Sequence, residues 1–441
     1  MRDIFFLAML PLMIYLMARR PFIALGMWIW TALFFPNAWL YGPAAGIRYN
    51  LIFTGIAMLG YLLQKNKPKV HFGLLGGLIF LFFFWTLAST SMTEGLPDFS
   101  WEIFGRFVKV VLLFVFVVLI VEKKLHIDFF LWCVVLSVGF FAGLEALKYI
   151  ASGGGHKIEG FAGHVLGDRN ELALAFVITL PLCVYLLGQY GAQSKLVRLG
   201  LLGLMGLIVT AVIGTQSRGG FIAMLVVAGY FFIKSDRKIL LSFLLVILVA
   251  VLSQLVTDEW TSRMDTIGTA NADESFMGRV VAWKLSFIMA MQHPFFGGGF
   301  KSLENFAVWR VLSQDFFAYS FFYTGTALPD PNHAHAAHSV YFQVLGDHGF
   351  IGLFIYLAMM LRAFLEARAA LLLAKPYPEL RWAVALATML QLSIFAFAVG
   401  GAALSFAYFE LMFAIYGLIL VLRTRILPAQ IKLLAAAPVP A

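Results

Sequence analysis

Thirteen apolar runs joined by short polar connections make up most of this chain. They cover residues 4–17, 22–35, 51–63, 74–89, 104–121, 129–150, 172–187, 196–213, 221–233, 239–256, 349–365, 382–399 and 406–422. The runs are continuous rather than alternating, which predicts helices and not the strands of a β-barrel. A helix needs about 20 apolar residues to span a bilayer, and in lipid its backbone groups must satisfy one another. The first two runs are short and share the Arg19-Arg20 break. The expectation is therefore an all-α polytopic membrane protein of about twelve transmembrane helices, with thirteen as the alternative. Arg19-Arg20-Pro21 follows the first run where a signal peptide would carry a small-residue cleavage site, so that run is read as part of the mature chain.

The polar connections sort into two sets. Lys65, Lys67 and Lys69 form one basic loop, and Glu122-Lys123-Lys124, Lys195 with Arg198, and Lys234 with Arg237 and Lys238 form three more. Arg362, Arg368 and Lys375, then Arg423 and Arg425, complete the series. If the helices alternate, all of these lie on one side, which the excess of cations makes the cytoplasm. The other side receives residues 36–50, 90–101, 151–170, 214–220 and one long stretch, 257–348. That stretch exceeds ordinary loop lengths, so it reads as an ordered, functional region of short helices and loops. The chain thus divides into an N-terminal helix bundle (1–256), a periplasmic region (257–348), and C-terminal helices with a cytoplasmic tail (349–441).

Composition agrees with this pattern. The 441 residues are 61% hydrophobic and 12% charged, with a mean hydropathy of +0.88. A soluble domain carries about 25% charged residues. The net charge of +9 is accounted for by topology and anionic headgroups, so membrane lipids are expected partners and nucleic acid is not. Cys133 and Cys183 both lie inside apolar runs and imply neither a disulfide framework nor a thiolate metal site.

The outward side carries cations against the topological bias: Arg48, His156, Lys157, His164, Arg169, Arg218, Arg263, Arg279, Arg310, His333, His335 and His338. Guanidinium groups hold phosphate in bidentate fashion, which points to an anionic lipid or a lipid-linked pyrophosphate. Three segments concentrate these residues. Gly214-Thr215-Gln216-Ser217-Arg218-Gly219-Gly220 sits between two apolar helices, and its glycines allow a close turn with amides open to an anion. Its structural alternative is a tight hairpin with a snorkelling arginine. Gly278-Arg279-Val280-Val281-Ala282-Trp283 opens an amphipathic helix, with Arg279 at its N-terminus where the dipole favours anions. His293-Pro294 ends that helix, and Gly297-Gly298-Gly299 predicts a flexible turn. His333, His335 and His338 then precede Ser339-Val340-Tyr341. His335 and His338 are read as i and i+3 on a helix. No nearby Cys, Asp or Glu completes a metal site, so a single histidine acting as general base is the preferred reading.

Asp168 and Asn170 serve either as helix caps or as substrate contacts, and Tyr341 is a further candidate contact. Glu94, Asp98 and Glu102 are spare outward carboxylates, any of which is an alternative general base. No Asp-x-Asp pair occurs, which argues against a divalent-metal nucleotide-sugar site, and no P-loop pattern occurs, which argues against ATP hydrolysis. No cofactor and no metal are expected.

In order along the chain stand Ser-Arg-Gly (Ser217–Gly219), Gly-Arg-x-x-x-Trp…His-Pro-x-x-Gly-x-Gly (Gly278–Gly299) and His-Ser-x-Tyr…Gly-Asp-x-Gly-x-x-Gly (His338–Gly352). Each motif alone is weak. The ordered set, in a chain with one long late periplasmic loop, resembles the O-antigen ligase and polymerase superfamily (WaaL-type and Wzy-type). The start Met1-Arg2-Asp3-Ile4 and the central loop resemble a branch of O-antigen or O-glycosylation ligases. The resemblance implies a fold related to the GT-C class and a metal-independent, inverting glycosyltransferase. It also implies an undecaprenyl-pyrophosphate-linked donor in the periplasmic leaflet of a bacterial inner membrane, with a lipid A–core sugar as the ligase acceptor. His338 takes the place of the family's essential histidine, and Arg218 and Arg279 take the places of its motif arginines. Ser339 stands where the family often has Asn. On this view Arg218, Arg279 and Arg169 bind the pyrophosphate and His338 activates the acceptor hydroxyl. A polymerase or a protein O-glycosylation ligase would share the donor chemistry. A flippase or other transporter would predict charges deep within helices and inverted repeats.

Overall fold

The computed structural model describes residues 2–239, 242, 243, 246, 274–322, 330 and 334–436. Helix is the regular secondary structure throughout the described residues. The N-terminal half runs α1 (Arg2–Arg19), α2 (Pro21–Phe34), α3 (Gly42–Ala45), α4 (Tyr49–Leu62), α5 (Gly73–Ser91), α6 (Pro97–Ile120), α7 (Lys124–Ala151), α8 (Arg169–Tyr190), α9 (Lys195–Gly214) and α10 (Arg218–Lys234). Then follow α11 (Glu274–Gln292), α12 (Phe306–Gln314), α13 (Val340–Ala374), α14 (Arg381–Gly400), α15 (Glu410–Val421) and α16 (Leu427–Ala436). Twelve of the thirteen apolar runs are helical here; the run 239–256 lies almost wholly outside the described residues, as do Arg263 and His333.

Among the described residues, eight helical stretches are long and apolar enough to cross a membrane: α5, α6, α7, α8, α9, α13, Pro378–Ala403 and Glu410–Ala436. The fold is therefore that of a polytopic membrane protein. Helices α2 and α4 are apolar but 14 residues long, shorter than the ~20 residues that span hydrocarbon unaided.

Sequence chemistry sets the helix ends. Proline opens α2 and α6, where its missing N–H costs nothing. Side-chain oxygens of Asp168, Ser194, Ser217 and Asn305 accept first-turn amides of α8, α9, α10 and α12. Four of the six basic connections are tied by direct contacts. Arg425 donates to the carbonyls of Val121 and Lys69, Gln64 to Glu122, and both Arg423 and Arg362 pair with Glu366. One large apolar core runs through the bundle. A second, smaller one joins Leu285, Met289, Leu303, Trp309, Leu312 and Ala337 within the region after α10, so that region has packing of its own.

Candidate active site

The base of the site is a backbone-to-backbone dock between the end of α11 and a kink in α13. Gly298 N donates to Gly346 O (2.9 Å), Gly299 N to Asp347 O (2.8 Å) and Phe350 N to Pro294 O (3.0 Å). The kink is at Gly349, with φ 69° inside α13. A Cβ on Gly349 would stand 2.6 Å from the carbonyl oxygens of Pro294 and Phe295, and one on Gly297 would stand 2.5 Å from Gly349 N. Only glycine permits both the dihedral and the approach. The expected flexible turn at Gly297–Gly299 is thus a docked one, because three main-chain hydrogen bonds hold it.

A buried network locks the dock from below. His348 is hydrogen-bonded at both ring nitrogens: Nδ1 to the Ser89 hydroxyl (2.9 Å) and Nε2 to the Tyr408 hydroxyl (2.9 Å). Tyr408 also donates to Asp347 Oδ2 (2.9 Å), and Asp347 Oδ1 accepts the Lys301 amide (2.9 Å).

His338 sits just above, immediately before α13. It has φ 47°, a left-handed conformation that costs a non-glycine residue about 1–3 kcal/mol and that persists only where surroundings impose it. They do so here. Its backbone N–H donates to Ser405 Oγ (2.8 Å), and Trp283 Nε1 donates to the preceding carbonyl, Ala337 O (2.7 Å). Trp283 also stacks on Phe342, with centroids 5.3 Å apart. The tryptophan of the Gly-Arg-x-x-x-Trp motif is thus a clamp on the histidine turn. Gly278 lies beside the same turn, with the His335 ring in ordinary van der Waals range of where a Cβ would stand (3.6 Å to Nε2). His335 and His338 are not on a helix, which begins only at Val340; the left-handed turn brings their ring centroids to 6.3 Å. Helix α11 is already running at Glu274, so Arg279 lies five residues inside it rather than at an N-terminus.

Burial and the positive charge of Arg279, with a smaller effect of His335, push His338 down to about 4, while Asp168 pulls upward. The imidazole is therefore neutral at neutral pH. Among the described residues neither ring nitrogen has a hydrogen-bond partner.

The N-termini of α8 and α10 supply the remaining groups. Asp168 caps α8 and accepts from both the backbone and the side chain of Asn170. Ser217 caps α10 through Gly220 N and donates to Asn170 Oδ1 (2.8 Å). One hydrogen bond thus ties the two helix starts, and it sets Arg169 and Arg218, the first residue of each helix, at the same end of neighbouring helices. Both side chains are half-buried. The glycines after Arg218 serve packing: a Cβ would meet Ala403 Cβ at 3.1 Å from Gly219, and Ala173 Cβ at 2.5 Å from Gly220. Tyr341 donates its hydroxyl to Ala398 O (2.6 Å) and so joins α13 to α14.

Residues 202–357 match the family model described as O-antigen ligase. Residues 202–357 thus carry a domain of the O-antigen ligase family. Residues 1–191 match a second model, a family of unknown function (DUF5935), and no curated protein matches the chain. Arg218, Arg279, His338 and Tyr341 all fall in the ligase match, whereas Asp168, Arg169 and Asn170 fall in the other. The two matched regions meet at the Asn170–Ser217 hydrogen bond.

Several residues of the site region escaped the motif reading. A cavity of about 570 Å³ adjoins the His338 turn through Ser405 and is lined by Arg106, Lys109, Glu171, Lys301, Gln343 and Glu410 among others. Lys109 and Arg106 both lie within the apolar run 104–121, where a cation at mid-helix costs about 2.5–3.5 kcal/mol on insertion scales; that cost was the available signal. His348, Tyr408 and Ser89 gave no such signal, since their network spans some 320 positions of chain. Of the spare carboxylates, Glu94 lies 3.5 Å from His293 and Glu102 pairs with Arg106.

Proposed function

We propose that this protein is an O-antigen ligase. It would move a glycan from undecaprenyl pyrophosphate to a sugar of lipid A–core at the periplasmic face of a bacterial inner membrane. The observation that carries the reading is His338: a neutral imidazole, free at both ring nitrogens among the described residues, with Arg279 close enough to depress its basicity. Arg279, Arg218 and Arg169 bind the donor pyrophosphate, whose leaving oxygen gains charge as the glycosidic bond breaks. Preorganised guanidinium groups and two helix N-termini stabilise that charge where it develops. His338 takes the proton of the acceptor hydroxyl as it attacks the anomeric carbon. Undecaprenyl pyrophosphate departs from the opposite face, and the configuration inverts.

A base held at about 4 is weak, and the donor corrects this. The bound pyrophosphate offsets the charge of Arg279 and raises the basicity of the imidazole, so the base is strengthened when its substrate is in place. Chemistry of this kind draws its driving force from the pyrophosphate and calls for no cofactor.

The test is transfer in vitro with purified full-length protein, an undecaprenyl-pyrophosphate glycan and lipid A–core. Glycan on lipid A–core is the expected product. Lengthened donor chains instead would identify a polymerase, and glycan on a protein acceptor would identify a protein ligase. No transfer from this donor to any acceptor would reject the reading.

A further inference from the structure

We infer that the cavity beside the His338 turn seats the phosphorylated glycolipid acceptor, with Lys109 binding a phosphate of its headgroup. This rests on the ligase reading above. Lys109 lies twelve residues after Pro97 in α6, about 18 Å along the helix at 1.5 Å per residue. It is exposed, lines the cavity, and makes no ion pair or hydrogen bond among the described residues. Arg106, one turn earlier, faces the same cavity but is already paired with Glu102 (2.7 Å). A cation at that depth calls for an anionic partner, and the described protein supplies none to Lys109.

The rest of the lining says what kind of anion. Glu171, Glu410 and Gln343 contribute hydrogen-bonding side chains, which suit the hydroxyls of a sugar. A ligand with hydroxyls at one end and a phosphate at the other fits this distribution; a polyprenyl pyrophosphate, whose charges are concentrated, fits the three arginines instead. Ser405 belongs to both regions, since it lines the cavity and accepts the His338 amide. A sugar in the cavity is therefore delivered next to the proposed base.

The experiment uses the full-length protein in detergent and measures binding directly, apart from catalysis. The probes are lipid A–core, the same lipid with its phosphates removed, undecaprenyl pyrophosphate and phosphatidylglycerol. Wild-type protein should bind the phosphorylated glycolipid about tenfold more tightly than the dephosphorylated one. Lys109→Gln should abolish that preference, and Lys109→Arg should restore it. In the transfer assay the same loss should appear in KM for the acceptor and not in KM for the donor. An unchanged preference in Lys109→Gln overturns the proposal. So does an effect confined to undecaprenyl pyrophosphate, or phosphatidylglycerol competing as well as lipid A–core. Wild-type protein that transfers nothing to lipid A–core would reject the ligase reading, whereas the binding arm reports on Lys109 whichever way transfer turns out.

Discussion

Two histidines ten positions apart, His338 and His348, flank the first turns of α13 and live under opposite rules. His348 is fully buried and bonded at both ring nitrogens by Ser89 and Tyr408. His338 is half-buried on a left-handed turn, and only its backbone is bonded among the described residues. A histidine that must exchange a proton needs a vacant nitrogen facing its partner, and one that holds a fold needs none. The backbone around His338 is over-determined so that its ring can stay unengaged. The ring of His348 is engaged so that the backbone at Gly349 can stay kinked.

The sharpest way to break this contrast is to remove each ring in turn. His338→Ala should lower the transfer rate by about 10²–10⁴, the usual value of general-base help, while thermal unfolding in detergent stays within a few degrees of wild type. Near-normal transfer in that variant would take His338 out of the chemistry. His348→Ala should do the reverse. Losing two buried hydrogen bonds and leaving a void should cost roughly 2–4 kcal/mol of stability, seen as a lower unfolding temperature. Transfer per folded molecule should stay within a few-fold at low temperature. A thermally normal but inactive His348→Ala protein would reverse the two assignments.

The pH profile tests the same contrast more gently. Because Arg279 and burial hold the free-state base near 4, kcat/KM should keep its plateau below pH 6.5 and fall only towards pH 4, as His338 takes up its proton. The acid limb of kcat, which reports the donor-bound enzyme, should lie at higher pH. Coincident limbs near 6.5 would mean that Arg279 does not act on His338. The smallest effect is expected from Ser217→Ala, which loses one cap and the bond to Asn170. About 1 kcal/mol of stability should go, with a modest rise in donor KM as Arg169 and Arg218 lose their shared anchor. An unchanged donor KM would show that the two helix starts do not work as a pair.

What could be read from the sequence follows from range. Apolar runs such as 104–121 and 172–187 announce helices because spanning is a local requirement. The basic connections at Lys69, Glu122 and Arg425 sort together because charge placement obeys a rule of its own. The positions of Arg218, Arg279 and His338 are visible because they sit in ordered motifs. Their local geometry is not. No spacing rule places a histidine at φ 47°, and Gly278 lies inside α11 rather than at its start. The triple glycine is docked, not loose, because its partner is the backbone of Gly346–Gly349, some fifty positions downstream. Lys109 was legible in principle, but two cations, Arg106 and Lys109, near the start of a long apolar run are easily absorbed into the run.

The hydrogen bond from His338 to Ser405 has a consequence for how the protein comes into being. The residue that holds the proposed base in place is translated 67 positions after it, and Tyr408, which closes the network under Asp347 and His348, comes later still. A nascent chain that has delivered all three arginines and both histidines to the membrane still lacks the shelf on which His338 rests. Until the chain beyond α14 has been made and packed, the machinery is present but not assembled. Synthesis itself therefore acts as a timer, and an unfinished molecule has no organised site with which to act on the proposed donor.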